Sequence, residues 1–107
     1  MPGHYFAYAF ASPLTLPQMQ EKLRDATPWR WGIGDSETWG EYLIVRPFGR
    51  FSKFKIVRDE TAYVLDIAYD FDDPGAEACW ESQHAILVDE ALPAVEAREI
   101  RKVEGYT

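Results

Sequence analysis

Hydrophobic and polar positions alternate strictly near the start of the chain. In the segment 5–11, Phe6, Tyr8 and Phe10 fall on one face, and the other face is mostly alanine. A two-residue period is that of a β-strand, so the pattern predicts a strand here. The alanine face leaves room for another part of the protein to pack close against it.

The period then changes to that of a helix. Thr15 is a favoured N-cap residue, and Gln18 three positions later completes the sequence signature of a capping box. Pro28 ends the segment, because proline restricts the residue before it to extended backbone. The predicted helix buries a stripe made of Leu16, Met19, Leu23 and Ala26.

Strand-like alternation returns in the middle of the chain. It predicts a short strand over 29–33 with a loop after it, then three strands over 41–47, 51–58 and 61–71. Near the end, residues 97–103 alternate charged and apolar side chains, which is typical of a polar edge strand.

The three central strands can be registered against one another. If Asp59 and Glu60 form a two-residue turn, Phe54 faces Leu65 and Lys53 faces Asp66. Because the side-chain period is two, this register predicts one buried face. Its other members are Leu43, Val45, Ile56, Tyr63, Ile67, Tyr69 and Phe71.

A second helix is predicted after the last of these strands. Asp73 suits its N-cap and Pro74 its first turn, while Pro93 marks its end. An alternative is a strand over 84–88 followed by a shorter helix. One helix is preferred because the run contains no breaker, and its buried side then holds Trp80, His84, Leu87 and Ala91.

Together these elements predict a single α+β domain over 1–107 with the order β-α-β-β-β-β-α-β. Both helices would cover one face of an antiparallel sheet, since each element must bury its apolar side against another. The arrangement resembles a ferredoxin-like sandwich with an added hairpin. That resemblance concerns the fold and implies no function.

Charge is distributed unevenly along the chain. The formal net charge is −7, yet five basic residues and no acid lie between Arg46 and Arg58. From Asp59 to Ala97 there are eleven acids and no lysine or arginine. Such a block is either a solubilising surface or a surface that meets a basic partner.

The segment 29–39 contains three of the four tryptophans. Tryptophan either packs in a core or anchors an interface, and both interpretations are open here. We expect the acidic block and the acid-flanked Trp39 to form one partner-binding surface. Its predicted members are Asp35, Glu37, Trp39, Glu41, Asp70, Asp72 and Asp73.

The resulting hypothesis is a small acidic protein-binding domain, such as an inhibitor or immunity-type protein that engages a basic partner. One alternative is a small-molecule or enzymatic domain with a pocket between sheet and helices, near Trp29, Trp31 and Trp80. A second is an RNA-binding sheet surface, because residues 46–55 interleave bases and aromatics. The net negative charge argues against nucleic acid.

Residues for catalysis and metal binding are scarce. The single cysteine, Cys79, and the two histidines, His4 and His84, form no pattern expected of a nucleophile or a zinc site. The acids of 70–81 have EF-hand spacing, but Pro74 occupies a ligand position. We therefore expect no catalytic residue, metal or cofactor.

The sequence contains no apolar run long enough to cross a membrane and no recognisable signal peptide. One cysteine cannot form an internal disulfide, which is typical of a reducing compartment. We therefore expect a cytoplasmic protein without membrane contact.

Overall fold

The computed structural model describes residues 3–38 and 40–104. The strands are β1 Gly3–Ala11, β2 Gly32–Ser36, β3 Gly40–Val45, β4 Lys53–Asp59, β5 Ala62–Asp70 and β6 Arg98–Val103. The helices are α1 Leu16–Ala26, α2 Ala76–Ile86 and the short α3 Leu92–Ala94, with the π-helical stretch Leu87–Ala91 joining the last two. Residues 76–94 thus form one continuous helical segment. The prediction of one helix here is confirmed, and the alternative of a strand at 84–88 is not found. The α+β class is confirmed.

The six strands form one antiparallel sheet in the order β2-β3-β4-β5-β1-β6. This order differs from that of a four-stranded ferredoxin-like sheet, because β2 and β3 extend one edge. The polar strand β6 forms the other edge, as predicted.

The register between β4 and β5 differs from the predicted one by two residues. Asp59 pairs with Ala62, so Lys55 and not Lys53 lies opposite Asp66. This register also sets Val57 opposite Val64, whereas the predicted one would have placed Lys55 against that valine. Because the shift is even, every side chain keeps its predicted face.

The core lies between the sheet and the two helical segments, on the predicted face. Leu43, Phe54 and Leu65 are among its fully buried side chains. Helical residues that cover them include Met19, Leu23, Leu87 and Leu92. Both helical segments therefore pack on one side of the sheet.

Helix α1 begins and ends as its sequence predicts. The Thr15 side chain accepts from the Gln18 backbone N–H, and the Gln18 side chain accepts from the Thr15 N–H. At the other end Thr27 is extended, and its hydroxyl accepts a hydrogen bond from the Trp31 indole N–H at 3.1 Å. Trp31 is thereby a core residue.

The predicted first residues of helix α2 and strand β2 were wrong. Helix α2 has Gly75, in the left-handed region at φ 85°, as its N-cap, and Asp73 caps nothing there. The strand predicted over 29–33 instead occupies Gly32–Ser36 and forms a hairpin with β3. The reason is that residues 27–31 are held against α1 and the core before the chain reaches the sheet edge.

The sheet face away from the helices carries small side chains. Ala7, Ala9, Val57 and Val64 are buried there, with Tyr42 and Val103 packed against them. No helix within residues 3–38 and 40–104 is long and apolar enough to cross a membrane.

Candidate functional site

Asp73, a predicted partner-binding residue, is buried and holds two loops together. Its carboxylate accepts hydrogen bonds from the backbone N–H groups of Arg50, Phe51 and Ser52, the first two at 3.1 and 3.0 Å. A side chain at Gly49 would collide with this carboxylate. Burial raises the pKa of Asp73, but these hydrogen bonds lower it more, so the net pKa is below its ordinary value.

Asp70 is also buried, at 5% exposure. Its carboxylate accepts from the Asp72 N–H at 2.9 Å, while its backbone N–H and carbonyl both bond to the Ser52 hydroxyl. The expectation that Asp70, Asp72 and Asp73 all lie at the surface is therefore wrong for two of them. Only Asp72 of the three is exposed.

The predicted site residues also do not form one surface. Strand β3 pairs with β4 so that Val45 lies opposite Phe54, which places Glu41 at the end of the sheet near the β4–β5 turn. Asp70 lies at the opposite end of β5. Eight residue steps along β5 correspond to about 26 Å. The hairpin acids and the acids around Asp72 are thus well separated.

The β2–β3 hairpin has its own group of exposed acids, Asp35, Glu37 and Glu41. Asp35 and Glu41 are direct cross-strand neighbours, a pairing of like charges that costs stability. Trp39 lies outside the described residues, so its role as an anchor stays a prediction.

A second acidic surface lies on the helical segment 76–94; its acids belong to the acidic block of the sequence but were not among the predicted site residues. Its exposed acids are Glu77, Glu81, Asp89 and Glu90, and we call them the acidic helical face. The exposed residues between them are small: Ala78, Ser82 and Ala85. The spacing of four between Glu77 and Glu81 inside the acidic block was the available signal.

Three polar side chains, Tyr8, Tyr69 and His84, lie beneath the same helical segment. The Tyr8 hydroxyl is hydrogen-bonded to His84 Nε2 at 3.0 Å. His84 Nδ1 and the Tyr69 hydroxyl are buried and have no hydrogen-bond partner in the described part of the chain. Burial, and then the nearby charge of Lys102, lower the pKa of His84, so its neutral form is favoured.

We expect the protein to lose stability as the pH falls below about 6.5, the ordinary pKa of histidine. A depressed native pKa means that the unfolded state binds the proton first, so protonation favours unfolding. Thermal melts of wild type and His84→Leu between pH 8 and 5 measure this effect. The variant should lack most of the pH dependence in that interval, and equal slopes for both proteins would contradict the expectation.

Trp80 and Trp29 contact different aromatic side chains. Trp80 packs against His4 and Phe6, with ring centroids 4.2 and 6.0 Å away. Trp29 packs on Phe54 instead and lines surface clefts with residues 24–32 and 44–47. The alternative of a pocket between sheet and helices near all three tryptophans stays a prediction.

The aromatic and basic residues of 46–55 are divided between a loop and the sheet. Phe51 lies exposed in the loop before β4, with the Arg50 guanidinium 5.4 Å from its ring centroid. Lys53 begins β4, whereas Lys55 is buried and paired with Asp66. No continuous aromatic platform for bases results.

Metal ligands are not gathered anywhere in residues 3–38 and 40–104. No group of three or more His, Cys, Asp or Glu side chains in this range could hold a metal ion. The EF-hand spacing of 70–81 is instead accounted for by Asp70 and Asp73, whose carboxylates accept backbone hydrogen bonds.

Fold and surface together define a small α+β protein with a single antiparallel sheet and four exposed acids on one helical segment. No protein-family model matches the chain, and no curated protein has a significantly similar sequence.

Proposed function

We propose that this protein is a protein-binding domain that engages a basic partner through the acidic helical face. The observation that carries the proposal is the composition of that face. Glu77, Glu81, Asp89 and Glu90 are all exposed, and the helical segment contains no lysine or arginine.

Stability alone does not account for these acids. Glu77 near the helix start is favoured by the helix dipole, but Glu81 one turn later repels it. Asp89 and Glu90 lie toward the C-terminal end of the segment, where the dipole favours basic side chains. Neutralisation of these charges by a bound partner is a physical reason to retain them.

The shape of the face suits long basic side chains. Ala78, Ser82 and Ala85 separate the carboxylates and are themselves exposed, so they leave space beside each acid. Lysine or arginine stems can lie along these small residues while their charged ends reach the carboxylates. An inhibitor or immunity-type protein that blocks a basic enzyme would use such a surface, because opposite charges on the two proteins steer their encounter.

Affinity capture from the source cells, followed by binding kinetics with the captured protein at two salt concentrations, tests the proposal. Wild type should retain a basic protein. The triple variant Glu77→Gln, Glu81→Gln, Asp89→Asn should associate at least about tenfold more slowly at low salt, because steering acts on the association rate.

The matched control is Asp35→Asn, Glu37→Gln, Glu41→Gln, which removes the same charge at the hairpin. It should associate nearly as fast as wild type. Retention of no basic protein would contradict the proposal. So would an equal loss of association rate in both triple variants, because the effect would then follow net charge and not the helical face.

We also propose that the sheet is a ferredoxin-like sheet extended by the β2–β3 hairpin. What supports this is that β4, β5, β1 and β6 remain as neighbours in that order when the hairpin is set aside. Among these four strands, each helical segment connects two strands that are not neighbours in the sheet. The relation concerns architecture and adds nothing to the functional argument.

A further inference from the structure

Three adjoining clefts lie around residues 28–32; Trp29 lines two of them, and arginines line all three. The largest two measure about 500 Å³ each, and the third about 380 Å³. Arg30 lines all three, Arg24 lines two and Arg46 lines one. No acidic residue lines any of them, although acids outnumber bases by 18 to 11 in the chain.

The three arginines have no acidic partner in the described part of the chain. No carboxylate among residues 3–38 and 40–104 lies within 4.0 Å of Arg24, Arg30 or Arg46. Arg30 shares clefts with Arg24 and with Arg46, and like charges along adjoining clefts are unfavourable unless an anion offsets them. Their arrangement favours an anion from outside the chain.

The floor of the clefts is held in place by the core. Trp29 packs against Phe54, with ring centroids 4.9 Å apart and an angle of 67° between the planes. Gln20 donates to the Trp31 carbonyl at 2.8 Å, and the Trp31 indole donates to Thr27. The half-buried Trp29 ring is therefore presented on a fixed support between exposed arginines.

We propose that these adjoining clefts, which we together call the Trp29 cleft, bind a small phosphate monoester that carries a planar ring. A guanidinium donates two parallel hydrogen bonds to a phosphate, and several arginines together neutralise its charge. The Trp29 indole offers a surface on which a planar ring stacks. A volume of about 500 Å³ is within the usual range for small-molecule sites, which is roughly 300–1,000 Å³.

Calorimetry with adenosine monophosphate as the probe tests this proposal. Adenosine and ribose 5-phosphate serve as matched compounds that lack the phosphate and the planar ring, respectively. We expect saturable binding of the nucleotide with a Kd below about 1 mM, and binding at least about tenfold weaker for each fragment, because each retains only one set of contacts.

The key variant is Arg30→Gln, since Arg30 lines every cleft and is exposed. It should weaken nucleotide binding about tenfold or more. The control Arg98→Gln removes an equal charge from the exposed edge strand β6, at the other side of the sheet, and should bind like wild type.

Four results would overturn the proposal. The first two are the absence of saturable heat at millimolar nucleotide and wild-type binding by Arg30→Gln. The others are an equal loss of binding in Arg98→Gln, and binding of adenosine as tight as that of the nucleotide. None of these results depends on the acidic helical face, which lies on a different helical segment.

Discussion

Replacing Leu65 with alanine is expected to lower the free energy of unfolding by about 2–5 kcal/mol, the usual cost of deleting a fully buried leucine side chain. Leu65 is 0% exposed and lies in the middle of β5, opposite Ile56 of β4. Its side chain lies on the covered face with the core cluster, so truncation leaves a cavity that the sheet cannot close without shifting. Urea denaturation followed by tryptophan fluorescence measures the change.

Lys53→Ala is the control for that prediction. Lys53 is half-buried on the opposite face, at the start of β4, and faces Ala68. Its removal should change the free energy of unfolding by less than about 1 kcal/mol, as is usual for charged residues at a sheet surface. A larger loss for Lys53→Ala than for Leu65→Ala would mean that the two faces of the sheet are assigned the wrong way round.

Asp73→Ala is expected to lower the melting temperature by on the order of 10 °C, because it leaves three backbone N–H groups without their acceptor. Those groups belong to Arg50, Phe51 and Ser52, so the β3–β4 loop loses its attachment to the loop before α2. Asp72→Ala is the matched control, because Asp72 is exposed. It should melt close to wild type.

The pH dependence gives the same prediction a second readout. The native pKa of Asp73 lies below its ordinary value of 3.8, so its carboxylate stabilises the fold fully above that pH. The contribution is lost as the pH falls further and the native carboxylate takes up its proton. Melts of wild type and Asp73→Ala should therefore converge below about pH 3.8 and differ most near neutrality. A constant difference over the whole range, or an equally unstable Asp72→Ala, would contradict this role.

The acidic block shows how far local sequence carried the site prediction. The absence of lysine and arginine from residues 59–97 is the pattern on which the site prediction rests. It did not separate acids that face solvent from acids that serve the fold. The dipeptide Asp73-Pro74 looks like a helix start, yet the amides that bind Asp73 lie 21 to 23 residues earlier. A hydrogen bond between residues so far apart in the chain leaves no recognisable pattern in the neighbouring sequence.

The acidic helical face was missed for a related reason. Its residues were part of the noted block, but whether Glu77 and Glu81 are exposed depends on which side of the segment packs on the sheet. The predicted site contained Asp70, Asp72 and Asp73 of the same block instead. Similarly, the Trp29 cleft needs Arg46 beside Arg30, and the two come together through the β2–β3 pairing.

By itself the sequence determined the order of strands and helices, the two faces of β3, β4 and β5, and both ends of α1. These features rest on side-chain periodicity and on capping between near neighbours, which are local and strongly directional. Only the tertiary structure decided the β4–β5 register, the start of α2, the burial of Asp70 and Asp73, and the separation of the two acidic surfaces. Each of these depends on contacts between distant segments, where a shift of two residues or one long-range hydrogen bond leaves the local pattern unchanged.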